Sequence, residues 1–325
     1  MKKTIAITGA AGFIASVVAA TMNQNGRDDL ILVDDFSKKE KKGNFENLKC
    51  QGLIDRNRFI QWLEEHHDTV DFVIHLGART DTTEFDESVF QQLNIDYTLS
   101  LWTLCTKHQI PLIYASSAAT YGMGESGYDD RHDIVERLKP LNPYGHSKNE
   151  IDRFILRQEK QPPFWAGLKF FNVYGPNEYH KGNMASVILH AFKQINETGT
   201  VRLFRSHRPD YEDGQQKRDF VYVKDIAKVI VWMMEHRPKN GLYNIGTGQA
   251  RSFFDLANNT FEAMGKPTRI EYIDTPLKIR DKYQYFTEAN MDKLKAAGYT
   301  EPFTTLEEGI HDYVKGYLLP FEFFC

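Results

Sequence analysis

The stretch Ile5–Ser16, "IAITGAAGFIAS", constrains this chain more than any other. A short apolar run meets Gly9, Ala10 and Ala11, then Gly12, and a second apolar stretch follows at once. A strand that turns through glycines straight into a helix lets backbone approach an anion closely. No Cβ intervenes, and the first amides of the helix point at the charge. The spacing is G-x-x-G-x-x-A, with Ala15 in the third place, where helix–strand packing tolerates alanine. Asp34 and Asp35 follow the second apolar run, where an acid meets ribose hydroxyls in dinucleotide sites. Gly9, Gly12, Asp34 and Asp35 are therefore predicted to bind a dinucleotide.

The rest of the chain alternates in the same way. Strands are predicted at Thr4–Thr8, Leu30–Asp34, Val70–Leu76, Pro111–Ser116 and Ala166–Phe171. Helices are predicted at Phe13–Asn25, up to about His108, and at Tyr144–Gln158. This pattern means α/β: a Rossmann-type doubly wound parallel sheet. After about Asn172 the spacing loosens into short strands near Val201–Phe204, Leu242–Ile245 and Arg269–Ile273, mixed with helices. We expect an NAD(P)-binding domain over residues 1–174 and a smaller mixed α/β substrate lobe over 175–325, with later pieces such as Asp225–Glu235 packing back on the first domain. The run "KKEKK", Lys38–Lys42, reads as a solvated loop.

Composition narrows the partners. The 325 residues, 41% hydrophobic, suffice for a large core, and a net charge of -4 gives no reason to expect nucleic acid. No window approaches the ~18 apolar residues of a membrane span, and no signal peptide is visible. Cys50, Cys105 and Cys325 are far apart without metal-ligand spacing, so no metal and a reducing, cytoplasmic setting are expected. The last residues, "LLPFEFFC", form an apolar tail that is given no function.

A second constellation carries chemistry. "PLNPYGHSK" places Tyr144 and Lys148 one helical turn apart on one face, and "YASSAATYG" ends a strand with Ser116 and Ser117. The carboxyl ends of such strands are where α/β sheets hold their ligands. A hydroxyl losing hydride from its carbon must also lose its proton. A tyrosinate can take it, but free tyrosine titrates near pH 10, so reaching about pH 7 needs about 3 units, or about 4 kcal/mol. The Lys148 ammonium and a positive nicotinamide ring are expected to supply this by favouring the phenolate, with Ser117 holding the substrate hydroxyl.

These residues, with "TGAAGFI", "HLGA", "SSAATYG", "YGHSK" and "FFNVYGP", resemble the extended short-chain dehydrogenase/reductase family over nearly the whole chain. "TTEFD", "HKGNMASV", "KRDFVYVKD", "NIGTG" and "KYQYFTEA" are similar to the branch that inverts C6 of the heptose in ADP-heptose, a lipopolysaccharide precursor. The resemblance implies an NADP-dependent isomerase and a homo-oligomer, often of five subunits. It implies Lys181 of the "HKG" motif as a second acid/base beside Tyr144, because the cofactor cannot change sides when the opposite face of C6 is presented. On the residues alone, Lys181 reads first as a phosphate or loop lysine, and the family motif turns the reading to an acid/base. For the cofactor it implies Phe13, Ile14, Asp34, Asp35, Lys42, Arg56, Leu76, Gly77, Ala78, Arg79, Thr80, Asn94, Lys148 and Lys181. For the sugar nucleotide it implies Asn172, Asn183, His190, Phe204, Arg205, Ser206, His207, Arg218 and Tyr283, with Arg218 facing the diphosphate. Asp34 by itself suits NAD and would repel a 2′-phosphate, whereas Lys38, Lys39, Lys41 and Lys42 suit NADP. The stretch between Phe204 and Arg218 is longer than expected. It either reshapes the nucleotide pocket or loops outside.

Other readings of the same residues are a UDP-sugar 4-epimerase, a 4,6-dehydratase and a non-catalytic NAD(P)-binding protein. Ala118 and Ala119 stand where a dehydratase needs acids. "HKGNMAS" is not explained by a 4-epimerase, and a pure sensor has no need of a tuned base.

Overall fold

The computed structural model describes residues 3–280 and 283–325. Its first part alternates strictly: β1 (Thr4–Thr8), α1 (Phe13–Gln24), β2 (Leu30–Asp34), β3 (Gly52–Asp55), α2 (Arg56–His66), β4 (Val70–His75), the short α3 (Glu87–Phe90), α4 (Tyr97–Lys107), β5 (Leu112–Ser117), α5 (Pro143–Leu156) and β6 (Trp165–Phe170). There follow β7 (Asn172–Tyr174), α6 (Val187–Thr198), β8 (Val201–Phe204), β9 (Lys217–Tyr222), α7 (Val223–His236), β10 (Gly241–Ile245), β11 (Ala250–Ser252), α8 (Phe253–Ala263) and β12 (Ile270–Ile273).

The main sheet has seven strands in the order β10-β6-β5-β4-β1-β2-β3, and every neighbouring pair is parallel. Helices cover both faces, so β1, β2 and β6 are buried throughout and read as continuous apolar runs. From β1 the order runs to β2 and β3 on one side and to β4, β5 and β6 on the other. This reversal opens a crevice at the carboxyl ends of β1 and β4, the usual ligand position in such sheets. His75 pins the crevice from behind: its ring bridges Thr8 Oγ1 at 2.6 Å and Thr98 Oγ1 at 2.9 Å. Burial, with Lys148 adding to it, pushes the His75 pKa down to about 3, so the ring is neutral.

Two expectations change. The strand predicted near Leu242–Ile245 as part of the smaller lobe is β10, the edge strand of the main sheet beside β6. "KKEKK" is solvated at Lys38, Lys39, Glu40 and Lys42, but it is not a plain loop. Lys39–Asn44 is a 3-10 turn that points Lys41 inward at Asp34. β3 escaped notice because, as the edge strand beside β2, it lacks an apolar run. The remaining strands form a three-stranded sheet, β11-β9-β7, and a parallel pair, β12-β8. That pair and helices α6 and α8 share a small core of Ala191, Ile195, Leu203, Ala257 and Phe261.

Candidate active site

The glycine loop meets the loop after β4. Gly9 has φ 73°, and a Cβ there would sit 2.7 Å from Gly77 backbone atoms; one at Gly12 would sit 2.9 Å from the Gly9 carbonyl oxygen. Only glycine fits either place. Between these loops lies a cavity of 730 Å³ lined by Gly9, Gly12, Phe13, Ile14, Asp34, Asp35, Lys38, Lys41, Arg56, Leu76, Gly77, Ala78, Arg79, Thr80, His180 and Lys181. The Asp34 carboxylate is already engaged. Oδ2 accepts from the Ala11 amide at 2.9 Å, and Oδ1 accepts from the Asp35 amide at 2.7 Å and from Lys41 Nζ at 3.2 Å. Arg56 Nε is buried and has no hydrogen-bond partner among the described residues. The cradle, the lysines and this unpartnered guanidinium nitrogen fit a dinucleotide.

Two expected cofactor positions lie elsewhere. Lys42 is 69% exposed, pairs with Glu46 at 3.3 Å and does not line the cavity; the turn that carries it brings Lys41 to the site instead. Asn94 is fully buried behind the cavity on the π-turn Gln91–Asp96. Its Oδ1 accepts from the Arg79 amide at 2.8 Å, and its Nδ2 donates to the Arg79 carbonyl at 3.0 Å and to Ser147 Oγ at 2.9 Å. It holds the Arg79 loop against α5.

A second cavity of 310 Å³ is lined by Ser117, Tyr144, Lys148, Asn172 and Lys181, with Phe13, Ile14, Phe171 and Phe253 as apolar walls. Phe13, Ile14, Leu76, Ala78, Thr80, Lys181 and Met184 belong to both cavities, so the two join there. Asn142 caps α5 by accepting from the Gly145 amide at 2.8 Å, and Pro143 opens the helix. This start sets the phase that puts Tyr144 and Lys148 side by side. Lys148 Nζ donates to the Ala115 carbonyl at 2.7 Å, and burial lowers its pKa to about 8 against the pull of Asp152. Burial holds the Tyr144 phenol above the usual value, opposed by the Ser117 hydroxyl, while the Lys148 ammonium is directed to Ala115. Lys181 lies on the 3-10 segment Tyr179–Met184, 5.3 Å over the Phe13 ring. Burial lowers its pKa and Glu178 opposes this.

The expected substrate residues divide. Asn172 lines the second cavity; Asn183 and His190 do not. Phe204, Arg205, Ser206 and His207 leave β8 toward a cluster of tyrosines: the His207 amide donates to Tyr285 Oη at 2.8 Å, and Phe204 meets Tyr283 edge-on at 5.9 Å. Arg218 is 7% exposed. It donates to the carbonyls of Lys217 and Gln284 and lies 5.5 Å from the rings of Phe253 and Tyr283. No carboxylate pairs with it among the described residues. The long stretch between Phe204 and Arg218 does not simply loop outside: Tyr211 packs on Tyr285 at 5.1 Å and Arg208 lies over both rings. Lys282, in the quoted "KYQYFTEA", is outside the described residues. Among the described residues no group of three or more His, Cys, Asp or Glu is placed to hold a metal ion.

The sequence pattern of the NAD dependent epimerase/dehydratase family matches residues 5–246, most of the chain. The chain belongs to that family. Within this epimerase/dehydratase family it is 44% identical over 324 residues (97% of this chain, 98% of the other) to ADP-L-glycero-D-manno-heptose-6-epimerase of Fusobacterium nucleatum. It is 46% identical over 315 residues (96% and 97%) to the protein of the same name in Nitratidesulfovibrio vulgaris. Among solved structures it is similar to Helicobacter pylori ADP-L-glycero-D-manno-heptose-6-epimerase, with a TM-score of 0.79 at 30% identity, covering 97% of this chain and 96% of the other. The Thermus thermophilus UDP-glucose 4-epimerase complex with NAD shares the fold, with a TM-score of 0.76 at 23% identity, 96% of this chain and 97% of the other. A nicotinamide dinucleotide is the cofactor this membership implies, and the glycine cradle suits it.

Three residues of the site were not anticipated. Asp152, one turn beyond Lys148, and Lys169 form an ion pair at 2.7 Å with both side chains fully buried behind Ser116 and Ser117. Glu178, also fully buried, accepts from the Ser186 amide and hydroxyl and faces Lys181. The i, i+4 step from Lys148 to Asp152 was the one available signal.

Proposed function

We propose that the chain inverts C6 of the heptose in ADP-D-glycero-D-manno-heptose, giving ADP-L-glycero-D-manno-heptose for lipopolysaccharide core assembly, by transient oxidation with tightly held NADP. The observation that carries this reading is the second amine. Lys181 shares the 310 Å³ cavity with Tyr144, Lys148 and Ser117, at the place where it joins the larger cavity. A one-base alcohol dehydrogenase has no use for it, while inversion through a ketone needs proton transfer on two faces. The names of the relatives at 44% and 46% identity agree with this reading.

The residues around the glycine cradle would hold the dinucleotide, which would supply a reversible hydride acceptor for C6 and a positive charge in its oxidised form. The chain's own groups move the protons. Tyr144 takes the C6 hydroxyl proton as hydride leaves, Ser117 holds that oxygen, and the Lys148 charge favours the phenolate. Rotation about C5–C6 then turns the carbonyl oxygen away from Tyr144 toward Lys181. Burial has lowered the Lys181 pKa, so its ammonium gives up a proton readily as hydride returns. Buried Arg218, without a counter-charge of its own, suits the diphosphate. Asp34 argues less for NAD than its type suggests, because Lys41 offsets its charge. Lys38, Lys41 and Arg56 would hold a 2′-phosphate. We place the dinucleotide on residues 1–174 with β10 and α7, the sugar nucleotide on 175–325, and the enzyme in the cytoplasm as a homo-oligomer. The chain itself has no helix long and apolar enough to cross a membrane among the described residues.

Lys181→Met tests the two-base reading. Epimerisation of ADP-heptose falls at least a hundredfold. The half-reaction served by Tyr144 survives, so a C6-ketone analogue supplied with NADPH is reduced to product biased to one C6 configuration. Recovery of near-normal turnover at saturating substrate would leave Lys181 a binding lysine and overturn the mechanism. Turnover of UDP-galactose rather than ADP-heptose would overturn the substrate. Mass analysis of nucleotide released on denaturation is expected to show NADP; NAD would return Asp34 to the ribose.

A further inference from the structure

The apolar tail that the sequence left without a role sits on the functional site. Phe324 and Asn177 exchange hydrogen bonds: the Phe324 amide donates to Asn177 Oδ1 at 2.9 Å, and Asn177 Nδ2 donates to the Phe324 carbonyl at 3.0 Å. Tyr179 Oη donates to the Glu322 carbonyl at 2.7 Å, and the Phe321 and Phe323 rings lie 5.5 and 5.1 Å from the Tyr179 ring. Phe323 also fills the space in which a Cβ of Gly43 would lie. Two separate pieces of the site are thereby held at once. Asn177 and Tyr179 lead directly into Lys181, and Gly43 lies in the turn Lys39–Asn44 that carries Lys41 and follows Lys38. Asn44 ties these pieces to the glycine loop, donating to the Ala11 and Asn177 carbonyls, each at 3.0 Å.

We propose that residues 321–325 are a strap that fastens the Lys181 segment to the adenosine-side turn, positioning Lys181 and slowing release of the dinucleotide. The positioning of Lys181 rests on the two-base reading above; the slow release does not. The energetic logic is direct. An epimerase needs its cofactor to outlast each oxidised intermediate, yet the 3-10 turn and the 3-10 segment are each short and weakly held by their own backbone bonds. The strap replaces that missing local stability with the half-buried contact of Phe323 and Tyr179, the buried Phe324 and a reciprocal amide pair. Phe323→Ala removes only the ring that touches both pieces, and deletion of 321–325 removes the whole strap.

The test uses the full chain loaded with NADPH. Release is followed by nicotinamide fluorescence after dilution into a trap, and Lys181 reactivity by amine labelling read out by mass spectrometry. Both variants are expected to release NADPH at least tenfold faster and to label Lys181 faster. On ADP-heptose, kcat falls while KM changes less than twofold, and Phe323→Tyr restores the wild-type values. A merely structural role predicts a lower unfolding midpoint with unchanged release and labelling, and that result, in either variant, overturns the strap. Where the deletion does not fold, Phe323→Ala decides. Wild-type protein that releases NADPH slowly but ignores ADP-heptose refutes the proposed reaction and leaves the slow-release claim standing.

Discussion

Asp152→Asn isolates the buried pair behind the site. The Asp152 carboxylate takes Lys169 Nζ and Ser116 Oγ on Oδ2, each at 2.7 Å, and Tyr114 Oη on Oδ1 at 3.0 Å. Asparagine keeps the shape, but its neutral amide leaves the Lys169 ammonium fully buried without a counter-charge. Removing one partner of such a pair costs about 3–5 kcal/mol, a large part of the ~5–15 kcal/mol that keeps a domain folded. The urea midpoint should drop accordingly at unchanged slope. A second effect reaches the chemistry. Burial lowers the Lys148 pKa to about 8, and Asp152 is the charge that opposes this. Without it the ammonium loses its proton at lower pH, so the alkaline limb of kcat/KM, present below the Lys148 pKa and lost above it, moves toward neutrality. Adding Lys169→Met should restore most of the stability, because well-packed apolar groups replace a buried pair at little cost. It should not restore the limb, because Lys148 still lacks its partner. A loss under ~1 kcal/mol with an unmoved limb would refute both halves of the argument.

Tyr144→Phe keeps the ring and deletes the proton acceptor; turnover of ADP-heptose should fall at least ~100-fold while the protein folds and carries dinucleotide, and near-normal turnover would remove Tyr144 from its role. His75 is neutral in the folded state down to about pH 3, whereas its unfolded value is 6.5. The unfolded chain therefore takes the proton first, and stability present above about pH 6.5 is lost as pH falls, by roughly 3 kcal/mol at pH 4.5 from this ring alone. His132 and His180, both lowered to about 4 by burial, act in the same direction, and a flat urea midpoint from pH 7 to 4.5 would contradict all three. Lys41→Ala should weaken NADP at least tenfold in a fluorescence titration while leaving NAD little changed; equal weakening of both would make Lys41 a structural partner of Asp34 only.

Much of this protein was legible in the chain because its rules are local. The strand-to-glycine turn at Thr8–Gly12, the doubly buried runs of β1, β2 and β6, and the one-turn step from Tyr144 to Lys148 follow from backbone sterics and helical period. These decide the sheet class and the dinucleotide crevice before any contact is known. What the tertiary structure decided lies between residues far apart in sequence. It sends β10 to the edge of the main sheet, chooses Lys41 over Lys42 for the cavity, and turns Asn94 into a brace for the Arg79 loop. It also pairs Asp152 on α5 with Lys169 on β6, and brings Phe324 to Asn177 across 147 positions. None of these has a period or a spacing. A buried charge finds its partner, and an unstable turn its cover, only where packing removes the water that would otherwise satisfy them.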